Sequence, residues 1–118
     1  MRLCHLPCLA FLLSMHLGLN KVQSEEIQFD RDIRPILADK CYFCHGPDKE
    51  HQEADLRLDV ESGARSVITA GEPKASELIT RILASDESQM PPKETKKELT
   101  AAEIQLLQQW VLQRNAGL

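Results

Sequence analysis

The sequence has few aromatic residues: one Trp, one Tyr and three Phe in 118 residues. The chain is long enough for one small domain and too short for two. Five aromatic side chains supply little bulk for its core, so a large apolar ligand at the centre would make burial easier.

No long hydrophobic run is present near the N-terminus, although this part resembles a targeting segment. An apolar run at residues 9–13 follows Arg2, and small or moderate residues lead up to Ser24. We therefore predict a signal peptide over residues 1–24 and a mature domain over residues 25–118. The run is too short for a permanent span, and an uncleaved anchor is the alternative.

Cysteine, histidine and basic charge are all scarce after such a cleavage. The side chains left from four Cys and four His are Cys41, Cys44, His45 and His51. The 14 Lys and Arg include Arg2 and Lys21, so 12 remain against 18 Asp and Glu, a formal charge of −6. We expect an exported protein in the periplasm or an equivalent compartment, and no nucleic-acid partner.

The mature sequence predicts a mostly helical domain. Apolar residues recur at intervals of three and four in three places, which is typical of one face of a helix. The three stripes are Phe29, Ile33, Ile36 and Leu37; Leu78, Ile79, Ile82 and Leu83; and Ile104, Leu107, Trp110 and Val111. We expect the first and last stripes to pack together, because neither is wide enough to be stable alone.

Two local patterns bear on where the first and last helices begin. Pro35 fits the first turn of a helix capped by Asp32, or a kinked helix that starts near Asp30, and the sequence leaves both open. Before the last helix, Thr100 and Glu103 have the spacing of a capping box.

Residues 41–45 read Cys-Tyr-Phe-Cys-His, a C-x-x-C-H motif typical of haem c attachment. Two thiols three residues apart can add to the two vinyl groups along one haem edge, and the next residue then places its imidazole under the iron. We predict covalent haem c on Cys41 and Cys44, with His45 as the proximal ligand. The other ring nitrogen of His45 should donate to a carbonyl.

Three other kinds of site use part of this motif. A dithiol redox site of the thioredoxin kind expects a βαβ context, which the helical pattern lacks. A structural zinc site needs four ligands, and His45 is too close to Cys44 to share a tetrahedral metal comfortably. A disulfide between Cys41 and Cys44 would close a very small loop and contribute little. The export signal favours haem.

Six segments together resemble the planctomycete cytochrome c domain, a branch of the class I cytochromes c. They are FDRDIRPIL at 29–37, CYFCHGPD at 41–48, ADLRLD at 54–59, GEPKASELI at 71–79, MPP at 90–92 and LTAAEIQLLQQWV at 99–111. The resemblance implies an all-α, class I cytochrome c-like fold whose first and last helices pack beside a covalent haem. It also implies attachment at Cys41 and Cys44, with His45 and Met90 as the two iron ligands.

The residues themselves leave two candidates for the distal ligand, Met90 and His51. Met90 is the one apolar side chain in the polar loop 85–98, and the two following prolines stiffen the backbone beside it. His51 follows His45 so closely that it could reach the far face only through a taut loop. We favour Met90, and we expect Trp110 near the haem edge.

A haem with both axial positions filled exchanges single electrons and binds no substrate at iron. We therefore expect an electron carrier that works with redox partner proteins and is not an enzyme. The alternatives are a peroxidase or gas sensor with a displaceable distal ligand, and a haem docking module of a larger redox complex.

Overall fold

The computed structural model describes residues 25–114, so the expected signal peptide lies outside the described residues. The described part is helical and contains no strand, which confirms the all-α class. Its elements are the π-helical turn Phe29–Ile33, α1 Arg34–Lys40, α2 Tyr42–His45, α3 Glu61–Ser66, the 3-10 turn Pro73–Ala75, α4 Glu77–Leu83, the 3-10 turn Lys93–Thr95 and α5 Ala101–Gln113. Among residues 25–114, no helix has the length and apolar character that crossing a membrane requires.

The first helical segment starts earlier than an Asp32 cap would allow. In the turn Phe29–Ile33 the N–H of Arg34 donates to the carbonyl of Phe29, five residues back. The carboxylate of Asp32 accepts the N–H of Gln28 at 2.9 Å and does not cap α1. Pro35 is the second residue of α1, where it has no N–H to donate to the π-helical turn before it. The alternative in which Asp32 caps the first helix is therefore wrong, and the alternative in which the helix starts earlier is confirmed.

All three apolar stripes contribute to one core. The buried apolar residues are Ile33, Ile36, Leu37, Leu58, Ala64, Leu78, Ile79, Ile82, Leu107, Trp110 and Val111. Leu83 departs from its stripe, because it is the last residue of α4 and more than half of its surface is exposed. The helical periodicity thus predicted the inward faces correctly except at this helix end.

The first and last helical segments pack together, as predicted. The rings of Phe29 and Trp110 lie 5.6 Å apart between centroids and are tilted by 40°. The N–H of Ile27 donates to the side-chain carbonyl of Gln113 at 2.9 Å, which adds a polar contact between the two ends. Trp110 is only 4% exposed, so its burial is a principal source of stability here.

The capping box at the start of α5 is confirmed. The N–H of Glu103 donates to the hydroxyl of Thr100 at 3.1 Å, and the N–H of Thr100 donates to the carboxylate of Glu103 at 2.8 Å. Two N–H groups at the helix start are satisfied by this exchange. The start of α5 is therefore determined by local sequence.

The start of α4 is held by the fully buried hydroxyl of Ser76. This oxygen accepts the N–H of Thr69 at 2.8 Å and donates to the carbonyl of Glu72 at 2.9 Å. One turn on, the N–H of Leu78 donates to the carbonyl of Val67 at 2.9 Å. These bonds join α4 to the segment that follows α3. Val67 of that segment and Leu78 of α4 both line the cavity described below.

Replacing Trp110 by Ala should lower the free energy of unfolding by about 3–5 kcal/mol, because the contact with Phe29 and the burial of the indole are lost together. Leu112→Ala on the same helix is the control. Leu112 is 58% exposed, and its replacement should change the stability by less than about 0.5 kcal/mol. Chemical denaturation of both variants measures the difference, and equal stabilities would contradict the packing.

Candidate functional site

The C-x-x-C-H segment lies at the junction of two helices. α1 ends just before Cys41, whose N–H donates to the carbonyl of Leu37 at 2.8 Å. The carbonyl of Cys41 then accepts the N–H of Cys44 at 3.2 Å and that of His45 at 2.8 Å. Both thiols are free and half-buried. One turn of backbone therefore carries both thiols and the imidazole, as haem attachment requires.

The loop after this turn bonds back onto it. The N–H of Glu53 donates to the carbonyl of Cys44 at 2.8 Å, and the N–H of Leu58 donates to the carbonyl of His45, also at 2.8 Å. The last carbonyls of a helix have no partner within the helix, so these two bonds satisfy groups that would otherwise need water. They fix the loop to the motif.

Gly46 follows the motif in a position that admits no side chain. Its backbone is extended and buried, and a Cβ atom there would collide with the carbonyl of Tyr42. The chain can leave α2 this closely only with glycine at this position.

A cavity of about 540 Å³ opens beside the motif. His45 and Met90, which are far apart in the sequence, both line it. The remaining lining residues are Cys41, Ala54, Asp55, Leu56, Leu58, Ser66, Val67, Glu77, Leu78, Arg81, Ile82 and Pro91. The volume and the largely apolar wall are typical of a site for an organic cofactor.

Met90 is held at the cavity through its backbone. Its N–H donates to the carbonyl of Arg81 at 3.0 Å, which ties the loop 85–98 to the last turn of α4. Pro91 lies on the cavity wall beside it. Met90, which the sequence favours as the distal ligand, lines the same cavity as His45.

The imidazole of His45 has one nitrogen that is enclosed by protein. Nδ1 is buried and has no hydrogen-bond partner among residues 25–114, so the predicted carbonyl acceptor is not found there. An imidazole and a thioether on one cavity, with two thiols on the adjoining turn, are the donor set that a haem c takes. The residues present therefore fit that group.

Burial raises the pKa of the Cys41 thiol to about 12, and the negative charges of Asp39 and Cys44 add to this effect. A reactive dithiol needs the opposite, a lowered thiol pKa that supplies thiolate at neutral pH. The described residues also contain no strand for a βαβ unit. Both observations weigh against a thioredoxin-like redox site.

The zinc alternative lacks ligands. Between residues 25 and 114 there is no group of three or more His, Cys, Asp or Glu side chains arranged to hold a metal ion. A structural zinc site uses four such ligands.

His51 lies on the surface and does not line the cavity. Its Nδ1 is 2.9 Å from a carboxylate oxygen of Asp48, and its ring packs at a tilt of 39° against the exposed ring of Phe43, with centroids 4.5 Å apart. Of the two candidates for a distal ligand, the structure brings only Met90 to the cavity of His45.

Trp110, which the sequence predicts near the haem edge, does not line the cavity of His45. It lines a separate groove together with Phe29, and it is not among the residues of the His45 cavity. Leu58 lies on the wall of both. The periodicity of α5 indicates that Trp110 faces inward, but it does not say which neighbour it meets.

The sequence analysis did not identify three charged residues of the cavity wall: Asp55, Glu77 and Arg81. Glu77 and Arg81 stand one turn apart on α4 and form an ion pair with Nε and Oε1 2.6 Å apart. Their i, i+4 spacing is visible in the sequence and indicates a pair. It does not indicate that the pair borders a cavity.

Comparison with known protein families agrees with this geometry. Residues 41–94 match the family model described as Planctomycete cytochrome C, and this range contains both cysteines of the motif together with His45 and Met90. No curated protein and no solved structure matches the sequence at a significant level. Over residues 41–94, the chain is therefore similar to the planctomycete cytochrome c family.

Proposed function

We propose that this protein is an exported c-type cytochrome that carries single electrons through a haem c. The haem would be attached to Cys41 and Cys44, and His45 and Met90 would ligate its iron. One observation carries the proposal: His45 of the attachment motif and Met90 of a distant loop line the same largely apolar cavity. The similarity of residues 41–94 to the planctomycete cytochrome c family supports a haem-binding redox role.

Each residue has a distinct part in this proposal. Cys41 and Cys44 would fix the haem by thioether bonds, and the rigid turn that carries them would set its orientation. His45 would present its accessible ring nitrogen to iron, since Nδ1 is enclosed by protein. Met90 would supply a soft thioether sulfur, which favours the reduced state.

A bound haem c supplies a one-electron Fe(III)/Fe(II) couple. The apolar side chains of the wall, among them Leu58, Leu78 and Ile82, would exclude water from this couple and so raise its potential. With both axial positions taken, no site remains at iron for a substrate. The chain would therefore exchange electrons with redox partner proteins and would not act as an enzyme.

A peroxidase or gas sensor would need a distal position that opens, and peroxide chemistry would also need an acid or base there. His51, the only imidazole besides His45 in residues 25–114, bonds to Asp48 on the surface. This arrangement supports electron carriage over peroxide chemistry. The class I cytochrome c fold remains part of the proposal. Export rests on the N-terminal sequence.

Haem should remain on the purified protein after extraction with acidified organic solvent, because thioether bonds survive this treatment. In the Cys41→Ala/Cys44→Ala double variant, extraction should remove nearly all of any haem that binds. The Phe43→Ala variant, which changes an exposed residue between the two thiols, should keep its haem through the extraction. A pyridine haemochrome spectrum measures haem in each fraction, and loss of haem from the wild-type protein would refute covalent attachment.

Replacing Met90 by Ala should remove the weak absorption band of Fe(III)–sulfur ligation and lower the reduction potential, since the thioether stabilises Fe(II). Carbon monoxide, which should not bind the reduced wild-type protein, should bind the variant near stoichiometrically. His51→Ala is the control and should behave as wild type in all three measurements. If His51→Ala and not Met90→Ala opened the iron to carbon monoxide, the assignment of the distal ligand would be wrong.

A further inference from the structure

The cavity wall carries one permanently positive side chain. Of the described residues that line it, Arg81 alone is an Arg or Lys, whereas Asp55 and Glu77 are acidic. On the proposed function, a haem would bring two propionate carboxylates to this cavity. Carboxylates placed beside Asp55 and Glu77 need a cation as partner, because like charges at short range repel one another.

Arg81 has N–H donors left over that could bind a propionate carboxylate. Its Nε donates to Glu77 at 2.6 Å, and no acceptor within residues 25–114 contacts the terminal Nη1 and Nη2 groups. A guanidinium has five N–H donors arranged in a fork that matches a carboxylate. Glu77 therefore orients the side chain without using up its hydrogen-bonding capacity.

The position of Arg81 also suits a propionate. Its side chain is 43% exposed although it lines the cavity, so it stands at the mouth, where the polar edge of a haem would meet water. The Arg81 carbonyl accepts the N–H of Met90 at 3.0 Å, which fixes this residue beside the proposed distal ligand. In the proposed haem site, a charge here would lie near both the haem edge and the iron.

We propose that Arg81 binds a haem propionate, with Glu77 as the carboxylate that orients it, and that this pair helps to set the reduction potential. This inference rests on the proposed haem c site. A positive charge near the iron disfavours the oxidised form, which carries one more positive charge than the reduced form. Arg81 should therefore raise the potential, and Glu77 should lower it.

The test is a redox titration of the holoprotein with Arg81→Gln, Arg81→Lys and Glu77→Gln. At a fixed ambient potential, Arg81→Gln should lower the ratio of reduced to oxidised protein by roughly threefold to tenfold, tenfold being 59 mV for one electron. Arg81→Lys, which keeps the charge, should recover most of this loss. Glu77→Gln should change the ratio in the opposite direction.

Arg65→Gln is the matched control. Arg65 pairs with Glu61 at the same i, i+4 spacing and with similar exposure, but it does not line the cavity of His45. This variant should keep the wild-type potential. In resonance Raman spectra, the propionate bending bands should shift in Arg81→Gln and not in Arg65→Gln, which a purely structural role of Arg81 would not produce.

Wild-type potential and unchanged propionate bands in Arg81→Gln would overturn the inference. If that variant does not accumulate with haem, Glu77→Gln decides, and an unchanged potential there would equally overturn it. Absence of haem from the wild-type protein would instead refute the proposed function. The haem content of each preparation is therefore measured first, so that the two failures are distinguished.

Discussion

The two backbone hydrogen bonds from Glu53 and Leu58 to the carbonyls of Cys44 and His45 are the constraint on which the site depends. A helix as short as α2, with four residues, has little stability of its own, because one turn does not repay the cost of nucleation. The loop supplies the missing stability by satisfying the last carbonyls of that turn. It also connects the motif to the core, since Leu58 is almost completely buried.

The same residue, Leu58, separates two regions with different tasks. On one side lies the groove with Phe29 and Trp110, where the first and last helical segments meet. On the other side lies the cavity with His45 and Met90. Aromatic packing therefore stabilises the fold away from the proposed redox centre, and the sparse aromatic residues of this chain do not have to serve both purposes.

The features that the sequence predicted well are those determined by neighbours along the chain. The capping box of Thr100 and Glu103, the inward stripes and the attachment motif all depend on spacings of three or four residues. The start of the first helix was left open because a π-helical turn before Pro35 has no comparable sequence signal. The groove that Trp110 lines could not be predicted for another reason: a stripe shows which way a side chain faces but does not identify the element opposite.

In the proposed electron carrier, the bond between the N–H of Met90 and the carbonyl of Arg81 would affect the rate of electron exchange. A distal ligand on a loose loop could shift its distance from iron between the two oxidation states, and each transfer would have to wait for that movement. Here the backbone of Met90 is tied to α4, whose buried face packs in the core. If His45 and Met90 ligate a haem iron as proposed, this attachment would keep the reorganisation energy of the iron site low, since the ligand sphere would already be arranged before the electron arrives.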